Sequence, residues 1–193
     1  WVVGRGPWTE LGEQDALYVP PAAALAGRLY SGLLSQVTAG KKHGALYDVD
    51  AVAFDLRKSE VSQLEQLGLI PMVNEYGKVM AFSGKTLFNG DNIGLQTYSV
   101  VRVFDHISKV LCDFLNRRAF ENWNNVMERD LRSQIVNFLR SITGSNNLIE
   151  SFSIVRLMQD PDQKDRVYLD IHITPYFPAK SFVLRLEGYK GED

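Results

Sequence analysis

From Leu95 to Gly144 apolar residues recur at helical spacing along two stretches, and only a short polar connector separates them. No other feature restricts the fold of this chain as much. In LQTYSVVRVFDHISKVLCDFLNRR, residues Leu95, Val101, Phe104, Ile107, Val110, Leu111, Phe114 and Leu115 trace one face. In FENWNNVMERDLRSQIVNFLRSITG, residues Phe120, Trp123, Met127, Leu131, Ile135, Phe138, Leu139 and Ile142 do the same, and Gly144 stops the run. The connector around Arg117-Arg118-Ala119 is short, which predicts that the two helices are neighbours in space. Two apolar stripes of this length need a further apolar layer to cover them.

The segments that follow supply it. ESFSIVRLMQ and RVYLDIHIT flank the turn DPDQKD. In the second strand Val167, Leu169, Ile171 and Ile173 face one side, and Tyr168, Asp170, His172 and Thr174 the other. AKSFVLRLEG predicts a third strand, Ser181, Phe182, Val183, Leu184, Arg185, Leu186 and Glu187, with Phe182, Leu184 and Leu186 turned inward. It is free of proline and apolar on both faces, since Val183 points the other way. At a sheet edge such a strand accepts or donates a strand, because its N–H and C=O groups are a template for another chain.

Upstream, VPPAAALAGRLYSGLLSQV reads as a helix with Pro20 and Pro21 in its first turn. Its small residues, Ala22 to Ala26, let another backbone approach closely. DAVAFDLRKSEVSQLEQLGLIPMV reads as strand (Ala51 to Phe54), helix and strand, with Asp55 as N-cap, Val61, Leu64 and Leu67 as the buried stripe and Gly68 as C-cap. Ile70 to Asn74 then pairs with Lys78 to Phe82 across a turn at Tyr76-Gly77. The expected fold is α+β, a mixed or antiparallel β-sheet packed against long α-helices. Residues 1–18 are expected to form an extended arm leaning on the domain through Trp1 and Trp8, 19–188 the domain, and 189–193 a flexible tail.

Chemistry is harder to find. Gly84-Lys85-Thr86 is how a phosphate-binding loop ends, but G-x-x-x-x-G-K-[ST] places a glycine where this chain has Val79, inside a strand. Asn89-Gly90 then marks a turn where the loop needs a helix. The glycines of VVGRGPW lack the third glycine and the helix of a dinucleotide fingerprint. His43, His106 and His172 are far apart and show no metal-ligand spacing. Asp170 and His172 share a strand face and form the best general-base pair, with no activated nucleophile nearby. Neither a metal nor a cofactor is expected.

Net charge is −2 with scattered Lys and Arg, which gives no support for nucleic acid as a partner. No stretch approaches the roughly 18 apolar residues of a membrane span, so no membrane insertion is expected. The single cysteine, Cys112, suits a reducing, cytoplasmic setting and is expected to pack as a small hydrophobe. The chain starts at Trp1 without a methionine and reads as a fragment of a longer protein.

In order, these segments resemble the C-terminal half of contractile tail sheath proteins, most of all the large sheath subunit (TssC or VipB type) of type VI secretion systems in its Bacteroidetes-like version. The resemblance rests on DAVAFDLRKSEVSQLEQLGLIPMV, on GKVMAFSGKTLF, on Arg102-Val103-Phe104-Asp105-His106-Ile107 within the first long helix, and on RVYLDIHITPYFPAKSFVLRLEG. It gives GKT a reading as a sheath strand and turn. PPAAALAGRLYS looks closer to phage-like tail sheaths, which keeps that subfamily as an alternative.

The resemblance implies a structural, non-enzymatic subunit that polymerises with a small sheath subunit and other copies of itself around an inner tube protein. It implies a baseplate at one end, an AAA+ unfoldase acting indirectly, and neighbours joined by strand exchange. Glu121, Asn125, Glu128, Arg129 and Arg132, on the exposed face of the second long helix, are the candidates for tube contact. A soluble hydrolase or a binding module using the Asp170–His172 face stays open as the competing reading. A concave pocket there favours the hydrolase, and a flat sheet counts against it.

Overall fold

The computed structural model describes residues 2–5, 16–180 and 182–185. In chain order the elements are β1 (Val2–Arg5), β2 (Ala16–Val19), α1 (Ala22–Ser31), α2 (Gly40–His43), β3 (Ala51–Val52), α3 (Lys58–Gln66), β4 (Met72–Glu75), β5 (Lys78–Ala81), α4 (Ile93–Gln96), α5 (Tyr98–Arg117), α6 (Asn125–Ser141), β6 (Ile149–Gln159) and β7 (Val167–Pro175). They build an α+β fold with a three-stranded sheet, β2-β1-β3, and two hairpins, β4-β5 and β6-β7.

Two larger cores divide the chain, with a smaller cluster of Ala45, Val73 and Met80 at the β4-β5 hairpin of the first half. Val103, Ile107 and Leu111 of α5 meet Ile135 and Leu139 of α6, and Phe152, Ile154, Leu169, Ile171 and Ile173 of the β6-β7 hairpin close over them. This is the expected arrangement of two long helices under one sheet. A second core gathers Val2, Leu46, Met72, Val79 and Ala81 from the first half. Polar contacts join the halves. The Thr38 N–H donates to the Tyr98 hydroxyl, Arg102 donates to the Leu29 carbonyl at 2.9 Å, and Ser35 donates to that of Asn147 at 3.0 Å.

Several expectations are corrected. The first 18 residues are not all an arm, because β1 pairs with both β2 and β3 and Val2 is buried in the second core. Trp1 and Trp8 lie outside the described residues, as does the tail 189–193. The first helix ends at Ser31, where Gly32 turns to extended backbone. The β3 strand is only Ala51–Val52, and α3 starts after Arg57 rather than Asp55. There the Glu60 carboxylate accepts the Arg57 N–H at 2.7 Å, half of a capping box.

The long helices shift too. Leu95 belongs to the separate turn α4, and the core face of α5 is Val100, Val103, Ile107 and Leu111, with Phe104 exposed. Ile107 and Leu111 of the expected stripe are core, but in the first turns Val100 and Val103 take the buried positions in place of Val101 and Phe104. Cys112 is exposed rather than packed. The second helix begins at Asn125, capped by Asn124, whose side chain accepts from the N–H groups of Val126 and Met127 at 2.9 Å. Phe120 and Trp123 therefore sit in the connector.

The β4-β5 turn is as expected. Tyr76 and Gly77 both take left-handed backbone, and Glu75 faces Lys78. Gly68 closes α3 in a Schellman motif, with its own N–H on Glu65 O and that of Leu69 on Leu64 O, both at 3.0 Å. Its φ is +81°, and a Cβ there would stand 2.6 Å from Thr86 O and 3.1 Å from Leu87 Cα. Gly68→Ala is expected to cost at least about 2 kcal/mol by urea unfolding. Gly77→Ala, with similar φ but open space around it, is expected to cost about 1 kcal/mol. Equal costs would show that the Thr86 contact is unimportant.

Candidate assembly interface

The β6-β7 hairpin presents its apolar side to the helices and its polar side outward. Two register shifts, between Ile149 and Ser151 and between Ile154 and Arg156, bend β6 so that Ile154 and Leu157 both reach inward while Val155 is exposed. On the outer side Arg156 faces Asp170 across the strands, and its Nε donates to the carboxylate at 2.7 Å. The same guanidinium lies 4.3 Å from the Tyr168 ring centroid. Ser151 and Thr174 join their hydroxyls at 3.0 Å.

This geometry bears on the Asp170–His172 pair. Asp170 is held by Arg156, and His172 faces Ser153. Both residues are exposed, and the main clefts are lined by other residues. The surface is a flat sheet face, the arrangement that counts against the hydrolase reading. At Gly84-Lys85-Thr86 the Lys85 N–H donates to the Ser83 hydroxyl at 3.2 Å, Lys85 bridges to Thr97, and no helix starts at Lys85 or Thr86, the next beginning at Ile93. No phosphate cradle forms there.

Apart from one parallel bridge between Thr143 and Ile149, neither edge of the hairpin pairs with another strand among the described residues. The predicted third strand does not add to it. Phe182 to Arg185 are outside any strand, and Phe182, Val183 and Leu184 are 90%, 83% and 78% exposed rather than turned inward. Ser181, Leu186 and Glu187 lie outside the described residues. The cause lies in Pro175-Tyr176-Phe177-Pro178. Proline offers no ladder N–H, the Tyr176 hydroxyl pins the corner to the Gly144 carbonyl at 2.9 Å, and Lys180 leads the chain to Glu65 of α3 at 3.5 Å.

The α6 candidates are spread over a charged surface. Glu121 lies in the connector, 3.1 Å from Arg118, and Glu128 lies 3.7 Å from Arg132 along the helix. Asn125, Arg129 and Arg132 are exposed. At the hairpin tip the Asp160 carboxylate is held below its usual range, first by the Asp162 N–H and then by the Tyr168 hydroxyl. Among the described residues there is no cluster fit to hold a metal ion. No helix among the described residues is long and apolar enough to cross a membrane.

The fold, with its two long helices under an antiparallel hairpin, is similar to that of solved contractile sheath and baseplate chains. The fold resembles a chain of the anti-feeding prophage baseplate (TM-score 0.78, 15% identity, covering 90% of this chain and 51% of that one). It also resembles the contracted sheath of the PVC extracellular contractile injection system (TM-score 0.73, 15% identity, 91% and 52%). A third likeness is to the sheath tail protein of Desulfitobacterium hafniense (TM-score 0.67, 14% identity, 91% and 41%).

In sequence, a tail sheath protein of Vibrio phage KVP40 is 27% identical over 129 residues, 65% of this chain and 19% of the phage protein. The family model for the TssC/VipB-like C-terminal domain matches residues 97–193, and that for the type VI secretion system TssC/VipB central domain matches residues 1–89. The chain belongs to the TssC/VipB family of type VI secretion systems. The boundary between the two matches falls between the two cores. The chain spans about half the length of the sheath structures it matches and a smaller share of the phage protein.

Proposed function

We propose that this chain forms part of the large subunit of a type VI contractile sheath, polymerising with a small sheath subunit around an inner tube and contracting to drive it outward. The observation that carries the reading is the pairing of an open-edged hairpin with an exposed apolar segment, Phe182 to Leu184, in a protein of the TssC/VipB family. A monomer that keeps both unpaired is poised to add strands from neighbours. Backbone hydrogen bonds contribute about 1 kcal/mol net each, so a joint needs several in a row. Such a joint holds while larger side-chain surfaces slide.

Ser181 to Glu187 is the proposed donor segment, and β6 and β7 the acceptor. Asn125, Glu128, Arg129 and Arg132 of α6 are the proposed tube contacts, a polar surface that releases the tube when it moves. Glu121, which the sequence placed with them, lies in the connector beside Arg118 and off that helix. The remaining partners are further copies of the chain, a baseplate and, acting indirectly, an AAA+ unfoldase. The role is structural and cytoplasmic, without catalysis or cofactor. The match to both TssC/VipB domains favours a type VI sheath over a phage-like one.

Amide hydrogen exchange on the full-length protein tests the strand-addition joint. On assembly the outward amides of β6 and β7 and those of 182–185 are expected to gain protection of tenfold or more, while the α5 and α6 amides change little. Unchanged exchange at both hairpin edges in assembled material would rule out the joint.

A further inference from the structure

Beyond the end of α5 the chain turns through Arg118-Ala119-Phe120. Phe120 takes left-handed backbone, φ 68°, and its side chain is wholly in solvent at 106% exposure. A bulky residue in that region is an outlier, and outliers persist where their surroundings fix them. Arg118 braces this corner, 3.1 Å from Glu121 and 2.9 Å from Asp130, and Asn124 caps α6 just after it. Phe120 is thus an apolar ring held out on a rigid turn, with one cation between two carboxylates behind it. Aromatic rings are enriched in the buried centres of protein interfaces.

At the other end of the same helix lies a recess of about 380 Å³, lined by Ala24, Gly27, Arg28, Ser31, Leu46 and Tyr47. The α1 helix that forms its wall has no buried residue of its own, and a Cβ on Gly27 would meet nothing within 4 Å. The surroundings are basic. Arg28 lies 4.9 Å from the Tyr47 ring, and Lys41 and Lys42 follow in α2. These three cations outnumber Asp48 and Asp50 in the adjoining loop. His43 is held below its ordinary pKa by burial, then by Lys42 and Arg28.

The bond from Arg102 to the Leu29 carbonyl fixes the recess beside the start of α5. The run from Arg102 to Arg117 spans ~22 Å at about 1.5 Å per residue, so no copy brings its own Phe120 to its own recess. We propose that Phe120 of one copy enters the α1 recess of the next copy, a direct head-to-tail contact between successive copies of this chain. The contact rests on the sheath reading above. Its two halves are different surfaces near opposite ends of a rigid helix, so repetition does not pair off into closed dimers. It runs on into a ring or, where the rotation does not close, into the open array of a helical tube. Small side chains at Ala24, Gly27 and Ser31 admit the ring, and Glu121 beside it meets the cations around the recess, which sets the direction of the contact.

The test uses the full-length protein co-expressed with its small sheath partner. Phe120→Ala, which removes the ring, and Gly27→Trp, which fills the recess, are each expected to lower the mass of sedimenting tubes at least tenfold with an unchanged unfolding midpoint. In a Cys112→Ser background, Glu121→Cys combined with Ser31→Cys is expected to give a ladder of disulfide-linked multimers in oxidised tubes, while either cysteine alone stays unlinked. Tubes at wild-type yield from both Phe120→Ala and Gly27→Trp would overturn the contact. So would dimers from Glu121→Cys alone, or tubes of the double variant that give no ladder on oxidation. If the wild-type protein makes no tubes at all, the sheath reading fails and takes this contact with it.

Discussion

Replacing Val183 with proline is expected to leave the chain folded and to abolish assembly. Val183 is 83% exposed and its flanking Phe182 and Leu184 pack on nothing in the described structure. Phe182 to Arg185 make no backbone hydrogen bond among the described residues. Proline there costs the monomer little, within the roughly 0.5 kcal/mol of ordinary surface changes. In an added strand it removes an N–H from the middle of the ladder and disrupts its neighbours. A loss of about 1.4 kcal/mol per joint is already tenfold in an equilibrium constant, and a polymer repeats the loss at every subunit. Sedimentation of the full-length protein with its partner, beside a thermal melt, checks both halves. Tubes at normal yield from Val183→Pro would show that this segment is not the donor.

The largest effect on stability is expected at Leu139, which is 0% exposed where α6, α5 and the β6-β7 hairpin share one core. Leu139→Ala removes buried methyl groups and leaves a cavity in the cluster that it shares with Val103 and Ile107 of α5 and Ile149 of β6, elements too firmly packed to collapse into it. The expected cost is about 2–5 kcal/mol, against a total that for most domains is roughly 5–15 kcal/mol. Leu139→Met keeps the volume and is expected to cost less than about 1.5 kcal/mol. Urea unfolding distinguishes them. A Leu139→Ala cost below about 1 kcal/mol would mean that the helices and hairpin do not form a single packed core.

The helical C-terminal half was legible because long periodic runs leave few choices. Leu131, Ile135 and Leu139 could be read directly at i, i+4 and i+8, as could Leu169, Ile171 and Ile173 at period two. The α5 face was misjudged where Val100, Val101, Val103 and Phe104 offer two adjacent stripes, and only the packed hairpin selects between them. The β1-β2 pairing escaped because Val2–Arg5 is a short strand whose partners begin at Ala16 and Ala51, a non-local pairing without a local signal.

In the C-terminal apolar segment, the strand that the sequence predicts is not formed among the described residues. Phe182 to Leu184 does alternate like a strand, but Pro175 and Pro178 separate it from β7, and those prolines were the available signal. The Arg156–Asp170 pair that removes Asp170 from any dyad depends on the register shift after Ile154, which no residue pattern announces. Phe120 precedes Trp123 and Met127 at helical spacing, which is the signature of a buried helix face. Asn124 is the better cap and leaves it outside.

The sheath reading is tested most directly by negative-stain electron microscopy of the full-length protein co-expressed with a candidate small sheath subunit. The sheath reading predicts long hollow tubes of uniform width. Compact soluble particles alone, from well-folded protein at the same concentration, would contradict it.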